Sequence, residues 1–79
     1  MKAKITVKLK PSVLDPQGQA VLHAAHALGM ESIQGIRVGK SFEIELQAKN
    51  PAEAQKILRQ LSEKLLANTV IEEFEILNG

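Results

Sequence analysis

The chain has no cysteine, no tryptophan and no tyrosine, and its 79 residues include only two phenylalanines. Lack of cysteine excludes disulfides, thiolate metal sites, iron–sulfur centres, CxxC redox pairs and a thiol nucleophile. Scarcity of aromatics removes the stacking platform on which RNA-reading sheets depend; Phe42 and Phe74 both fall on the buried parity of their strands. Neither sign of charge is in excess. Ten Lys and Arg face nine Asp and Glu, a net charge of +1, so no whole-molecule field draws nucleic acid or a membrane surface. No apolar run approaches the ~20 residues that span a bilayer. The first residues go directly into an alternating pattern with no signal-peptide core, and a cytoplasmic protein is expected. Residues 1–79 are expected to form one domain. A domain of this size buries only about 60% of its unfolded surface, so association with further chains is a natural supplement.

What is present is a clear set of periodicities. Ala3, Ile5, Val7 and Leu9 alternate with Lys2, Lys4, Thr6, Lys8 and Lys10, a strand with one buried and one wet face. Pro11 ends it. Asp15 is a suitable helix N-cap, and Pro16 stands at the first helical position, where its missing N–H costs nothing. Val21, Ala24, Ala25 and Leu28 then make an apolar stripe, and Gly29 suits a left-handed C-cap. Ile33 to Val38 reads as a second strand, and Phe42, Ile44 and Leu46 alternating with Glu43, Glu45 and Gln47 as a third. A three-residue loop, Gly39 to Ser41, would join them as a hairpin with Val38 opposite Phe42 and Ile36 opposite Ile44. Asn50-Pro51-Ala52-Glu53 is a second helix start with the spacing of a capping box. Ala54, Ile57, Leu58, Leu61 and Leu65 form its stripe, Asn68 its expected C-cap, and Val70 to Leu77 a last strand.

The order β-α-β-β-α-β with one buried sheet face predicts an α+β, ferredoxin-like two-layer sandwich of sheet order 4-1-3-2. The charges agree with that order. It sets the lysine-bearing first strand between strands carrying Glu43 and Glu45, and Glu73 and Glu75, and opposite charges across strands are favourable.

No constellation reads as catalytic. The lysine row is a solvated strand face offset by glutamates rather than a phosphate surface. His23 and His26 share one side of the first helix, but zinc needs three or four ligands and the sequence offers no others near them, so a surface or interface role is the better reading. The Pro11 to Pro16 loop could hold an anion at a helix N-terminus, as the loop of acylphosphatases does, but it lacks their arginine and Asp15 would repel the anion. Gly35-Ile36-Arg37-Val38-Gly39-Lys40 is one residue short of a phosphate-cradling G-x-x-x-x-G-K and precedes a strand instead of a helix. Catalytic, cofactor and metal residues are therefore all expected to be none.

Three stretches resemble one family, in order and at the right length. Val13-Leu14-Asp15-Pro16-Gln17-Gly18-Gln19-Ala20-Val21 is similar to the first-helix motif of the PurS family. Leu28-Gly29 and Val38-Gly39-Lys40 look like its middle part, and Leu65-Leu66-Ala67-Asn68-Thr69-Val70-Ile71-Glu72-Glu73-Phe74-Glu75-Ile76 resembles its C-terminal signature. The resemblance implies a non-catalytic small subunit of phosphoribosylformylglycinamidine synthase in purine biosynthesis. It implies two partners: a PurQ-like glutaminase that releases ammonia, and a PurL-like synthetase that uses ATP and Mg²⁺ to place it on formylglycinamide ribonucleotide. It also implies a homodimer or tetramer, with possible exchange of segments between protomers. Nucleic acid and membrane are not expected as partners. The residues expected to contact partners are His23, His26, Arg37 and Lys40, as exposed polar groups, with Ile71 and Leu77 as apolar groups on the wet parity of the last strand. A small-molecule-sensing regulatory domain and a small hydrolase are the competing readings.

Overall fold

A computed structural model describes residues 1–78. Lys2–Leu9 forms strand β1, Pro16–Ala27 helix α1, Gly39–Glu45 strand β2, Pro51–Leu61 helix α2, and Glu72–Asn78 strand β3; a single π-turn, Ser62–Leu66, continues α2. The sheet has the order β2-β1-β3 and both pairings are antiparallel. The α+β class and the central place of the first strand thus stand as the charge pattern required. Lys2 lies opposite Glu45, Lys4 opposite Glu43 and Lys8 opposite Glu73, and Lys8 Nζ is 3.8 Å from Glu73 Oε1.

On the other face, Ile5 and Val7 are fully buried and Ala3 nearly so. Helix α2 covers them with Ala54 and Leu58, and Phe42, Ile44, Phe74 and Ile76 pack around. Asn50 caps α2 as the sequence predicts, but Glu53 reaches one residue beyond the N–H that a capping box would use. Asn50 Oδ1 accepts the Glu53 N–H at 2.8 Å, while Glu53 Oε2 accepts the Lys49 N–H at 3.2 Å.

The stripe of α2 changes phase at its end. Regular helical spacing predicts Leu65 in the core after Leu61. In the π-turn the Ala67 N–H reaches back five residues to the Ser62 carbonyl, and the buried Ser62 hydroxyl donates to the Leu58 carbonyl. The wider turn carries one extra residue. Leu66 therefore packs on the core and Leu65 is left 74% exposed. Asn68 is not a helix cap. Its carbonyl and side chain accept the N–H groups of Ile71, Glu72 and Val70, which makes the turn into β3 and leaves Val70 outside the strand.

The larger departure concerns residues 33–38, predicted as a strand. They do not join the sheet, and Gly39 to Ser41 is no loop, because these residues pair with β1 up to Lys8 opposite Gly39. Residues of β2 that a hairpin would need for its turn are used in the ladder. The chain instead runs straight out of the sheet at Val38 and lies against α1. Asp15 bonds Val38 at one end and His26 bonds Ile33 at the other. From Asp15 to His26 a helix rises about 17 Å, a distance that five residues cover only when nearly extended. Helix α1 and this segment thus form an arm beyond the end of the sheet.

Dimensions follow. The molecule extends 51 × 25 × 14 Å, with a radius of gyration of 16.0 Å, against about 12 Å for a compact domain of this length. Its accessible surface is 5925 Å², roughly a quarter above the value of about 4,700 Å² typical for its mass. The stripe predicted to bury α1 is largely outside: Val21 is 49% and Leu28 76% exposed.

Leu58→Ala should lower unfolding free energy by about 2–5 kcal/mol, as a truncation in a closed core. Asn50→Ala should cost about 0.5–2 kcal/mol through the lost cap. Urea midpoints for the two variants, at equal slope, check the order.

A tethered arm as the candidate assembly site

The arm is held by polar ties, two of which meet at Asp15. This residue caps α1, with extended backbone at φ −115° and ψ 90°. One carboxylate oxygen, Oδ1, accepts the Gly18 N–H at 2.9 Å, and the other, Oδ2, accepts the Val38 N–H at 2.8 Å. The carboxylate is 4% exposed, so both lone-pair directions are directed at backbone of two different segments. These two N–H groups, Gly18 first and Val38 second, hold its pKa below the ordinary aspartate value, and the Arg37 charge adds to them against the opposing effect of burial.

Gly18 explains why the two segments come so close. A methyl group there would overlap the Ile36 carbonyl oxygen. Glycine in a helix is unfavourable by about 1 kcal/mol relative to alanine, and the close crossing accounts for its presence. Arg37 adds a third tie, its guanidinium donating to the Lys10 carbonyl at 2.9 Å at the end of β1. At the far end His26 Nε2 donates to the Ile33 carbonyl at 2.8 Å. Gly29 then takes φ 93°, the left-handed value predicted for it.

The residues predicted to contact partners are thereby sorted. His26, Arg37 and Lys40 are engaged within the chain. Lys40 lies on the inner parity of β2, with Nζ 3.9 Å from Oε2 of Glu72, whose side chain is only 15% exposed. His23 stays exposed on α1. Leu77 stands on the outer sheet face opposite Lys4, beside Lys2, Glu43 and Glu45. Ile71 precedes β3, and its carbonyl accepts the Lys10 N–H. Sequence reasoning missed three residues: Asp15 beyond its capping role, Gly18 and Glu72. A signal for one of them was available, since Gly18 in the first turn of a helix calls for a close neighbour.

Among the described residues no cluster of three or more His, Cys, Asp or Glu is placed to hold a metal ion, and no helix is long and apolar enough to cross a membrane. A hollow of about 280 Å³ lies below Asp15, lined by Val7, Leu9, Val38, Lys40 and Glu72. Its charged groups already bond one another or backbone.

A sheet covered by one helix, with the other helix carried outward on a tethered arm, defines a small α+β assembly module. The chain belongs to the PurS family, phosphoribosylformylglycinamidine (FGAM) synthase, whose family model matches residues 2–78. It is 45% identical over 73 residues to the phosphoribosylformylglycinamidine synthase subunit PurS of Bacillus subtilis, covering 92% of this chain and 86% of that one. The solved B. subtilis PurS structure superposes with a TM-score of 0.86 at 44% identity, over 95% of this chain and 92% of that one. A chain in the structure of PurLQS from Thermotoga maritima does so with a TM-score of 0.88 at 32% identity, again over 95% and 92%.

The Asp15 ties carry a pH dependence. The folded pKa is depressed, so the stabilisation is fully present above the unfolded value of ~4 and is lost as pH falls through the lower folded value. The stability gap between the parent and Asp15→Asn, measured by urea unfolding, should therefore be widest near neutrality and close steadily below pH 4.

Proposed function

We propose that this chain is the non-catalytic small subunit of an FGAM synthase complex, joining a PurQ-like glutaminase to a PurL-like synthetase and assisting the passage of ammonia between them. The observation that carries the reading is its likeness, over 95% of its length, to a chain of the T. maritima PurLQS structure. Its own chemistry agrees: Asp15 and Arg37 of the arm bond backbone, and Lys40 and Glu72 of the inner sheet face pair with each other, which suits a structural subunit. ATP and Mg²⁺ then belong to the large subunit, and the complex works in the cytoplasm. Family membership leaves the sensing-domain reading without support of its own.

The same proposal includes self-association by exchange of the arm. Three features support it: the exposed stripe on α1, the open outer edge of β2, and residues 33–38 lying extended with no strand beside them. If 33–38 of one copy pairs with β2 of another, Val38 meets Phe42 and Ile36 meets Ile44, the apolar pairing that the sequence predicts within one chain. The four-stranded sandwich is then completed between two chains.

Two measurements test these readings. Added to PurL- and PurQ-like subunits, the chain should raise glutamine-driven synthesis severalfold while ammonium-driven synthesis changes little; equal glutamine-driven rates with and without it would overturn the bridging role. His23→Ala and Leu77→Ala should weaken assembly at an unchanged fold. For exchange, the chain conveniently lacks cysteine. Gly35→Cys with Glu45→Cys introduces two thiols on exposed positions, and nothing lies within 4 Å of a Cβ at Gly35. Oxidation should give a covalent dimer on a denaturing gel, and an intrachain-bonded monomer would exclude exchange.

A further inference from the structure

What decides that residues 33–38 leave their own sheet is a question the exchange reading raises and does not answer. The apolar parity of the sequence is that of a hairpin. Something must hold the chain straight at Val38. We propose that the Asp15 carboxylate is a latch that keeps Val38 in line with β2, so that residues 33–38 are presented to a second copy of the chain and cannot fold back on their own β2 edge. The proposal rests on the exchange reading and names the device that directs it.

The geometry places the latch at the hinge. For the hairpin to close within one chain, Gly39 and Lys40 must leave the ladder opposite Lys8 and Val7 and reverse direction. Val38 is the residue immediately before that point, and its N–H is held by Asp15 Oδ2 at 2.8 Å. Asp15 is itself anchored, because its Oδ1 accepts the Gly18 N–H in the first turn of α1. The Gly18 backbone abuts the Ile36 carbonyl, which fixes the direction of the chain two residues further out. Arg37 secures the intervening residue to the end of β1. The tie between α1 and the segment at the far end, His26 to Ile33, is too distant from the hinge to set its angle. A carboxylate suits this position because it accepts an N–H on each oxygen. An amide keeps one acceptor and turns an NH₂ toward the other N–H, so Asn leaves a buried donor unpaired.

The cysteine pair at positions 35 and 45 reads the choice directly as the ratio of intrachain to interchain disulfide. In the parent pair the interchain product should dominate. Asp15→Asn should raise the ratio at least fivefold. Gly18→Ala should also raise it, although it favours the helix, since its methyl displaces Ile36. Asn50→Ala, which removes the equivalent cap of α2 far from the hinge, should leave it unchanged and so separates the latch from general destabilisation. Interchain product in the parent with the same ratio in both Asp15→Asn and Gly18→Ala would overturn the latch alone. Intrachain product already dominant in the parent would overturn exchange, and the latch with it. An equal rise in Asn50→Ala would assign the effect to stability and overturn the latch as well.

Discussion

Two hydrogen bonds on one carboxylate govern the shape of this protein. Asp15 joins the start of α1 to the residue before β2, and these two points lie on opposite sides of the first crossover. Without that junction, α1 would be an isolated helix of 12 residues, a length at which helices are marginal in water. Joined to residues 33–38, it becomes one side of a two-part arm that leaves the apolar Val21 and Leu28 exposed. The elongated outline and the surplus of accessible surface both follow from an arm held beyond the end of the sheet.

The sheet is organised by a different constraint. Among the described residues β1 is the strand with two neighbours, and its lysines each face a glutamate on one side: Lys2 and Lys4 face Glu45 and Glu43 of β2, and Lys8 faces Glu73 of β3. Each exposed pair adds little by itself. Their collective value is in register, since sliding either neighbour by one residue would put glutamates over the core and apolar residues over lysines. The core beneath is small: among the described residues six apolar ones are buried, and three of these are alanine. A protomer of this kind keeps its sheet in order and leaves a large share of its apolar surface for other chains.

Most of the fold was legible because it depends on local patterns: the alternation of β1, the Asp15-Pro16 and Asn50-Pro51 starts, the turn at Gly29 and the acidic flanks of the central strand. What was not legible depends on distant contacts. Ile33 to Val38 has the composition of a strand and the correct parity, yet its place is decided by Asp15, some twenty residues earlier. Leu65 and Leu66 are both leucines, and only the backbone of the π-turn selects between them. For the candidate site, exposure of His23 and Leu77 followed from periodicity, whereas the engagement of His26, Arg37 and Lys40 required the three-dimensional path of the arm. Family likeness carried the functional reading further than either, because the recognisable motifs include the Asp15 to Gly18 stretch that builds the arm.

The π-turn also bears on which changes of length the chain can absorb. A wide turn is in effect one residue inserted into a regular helix and retained there. Deleting a residue within Ser62–Leu66 would close it to ordinary α-helix and leave the following residues, Ala67 included, in their present phase against the core. No such slack exists in α1. There the interval from Asp15 and Gly18 to His26 is matched to the span of an extended segment bonded at both ends, and a single insertion or deletion would rotate His26 away from Ile33 by about 100°. The two helices, alike in length, therefore differ in their tolerance of indels.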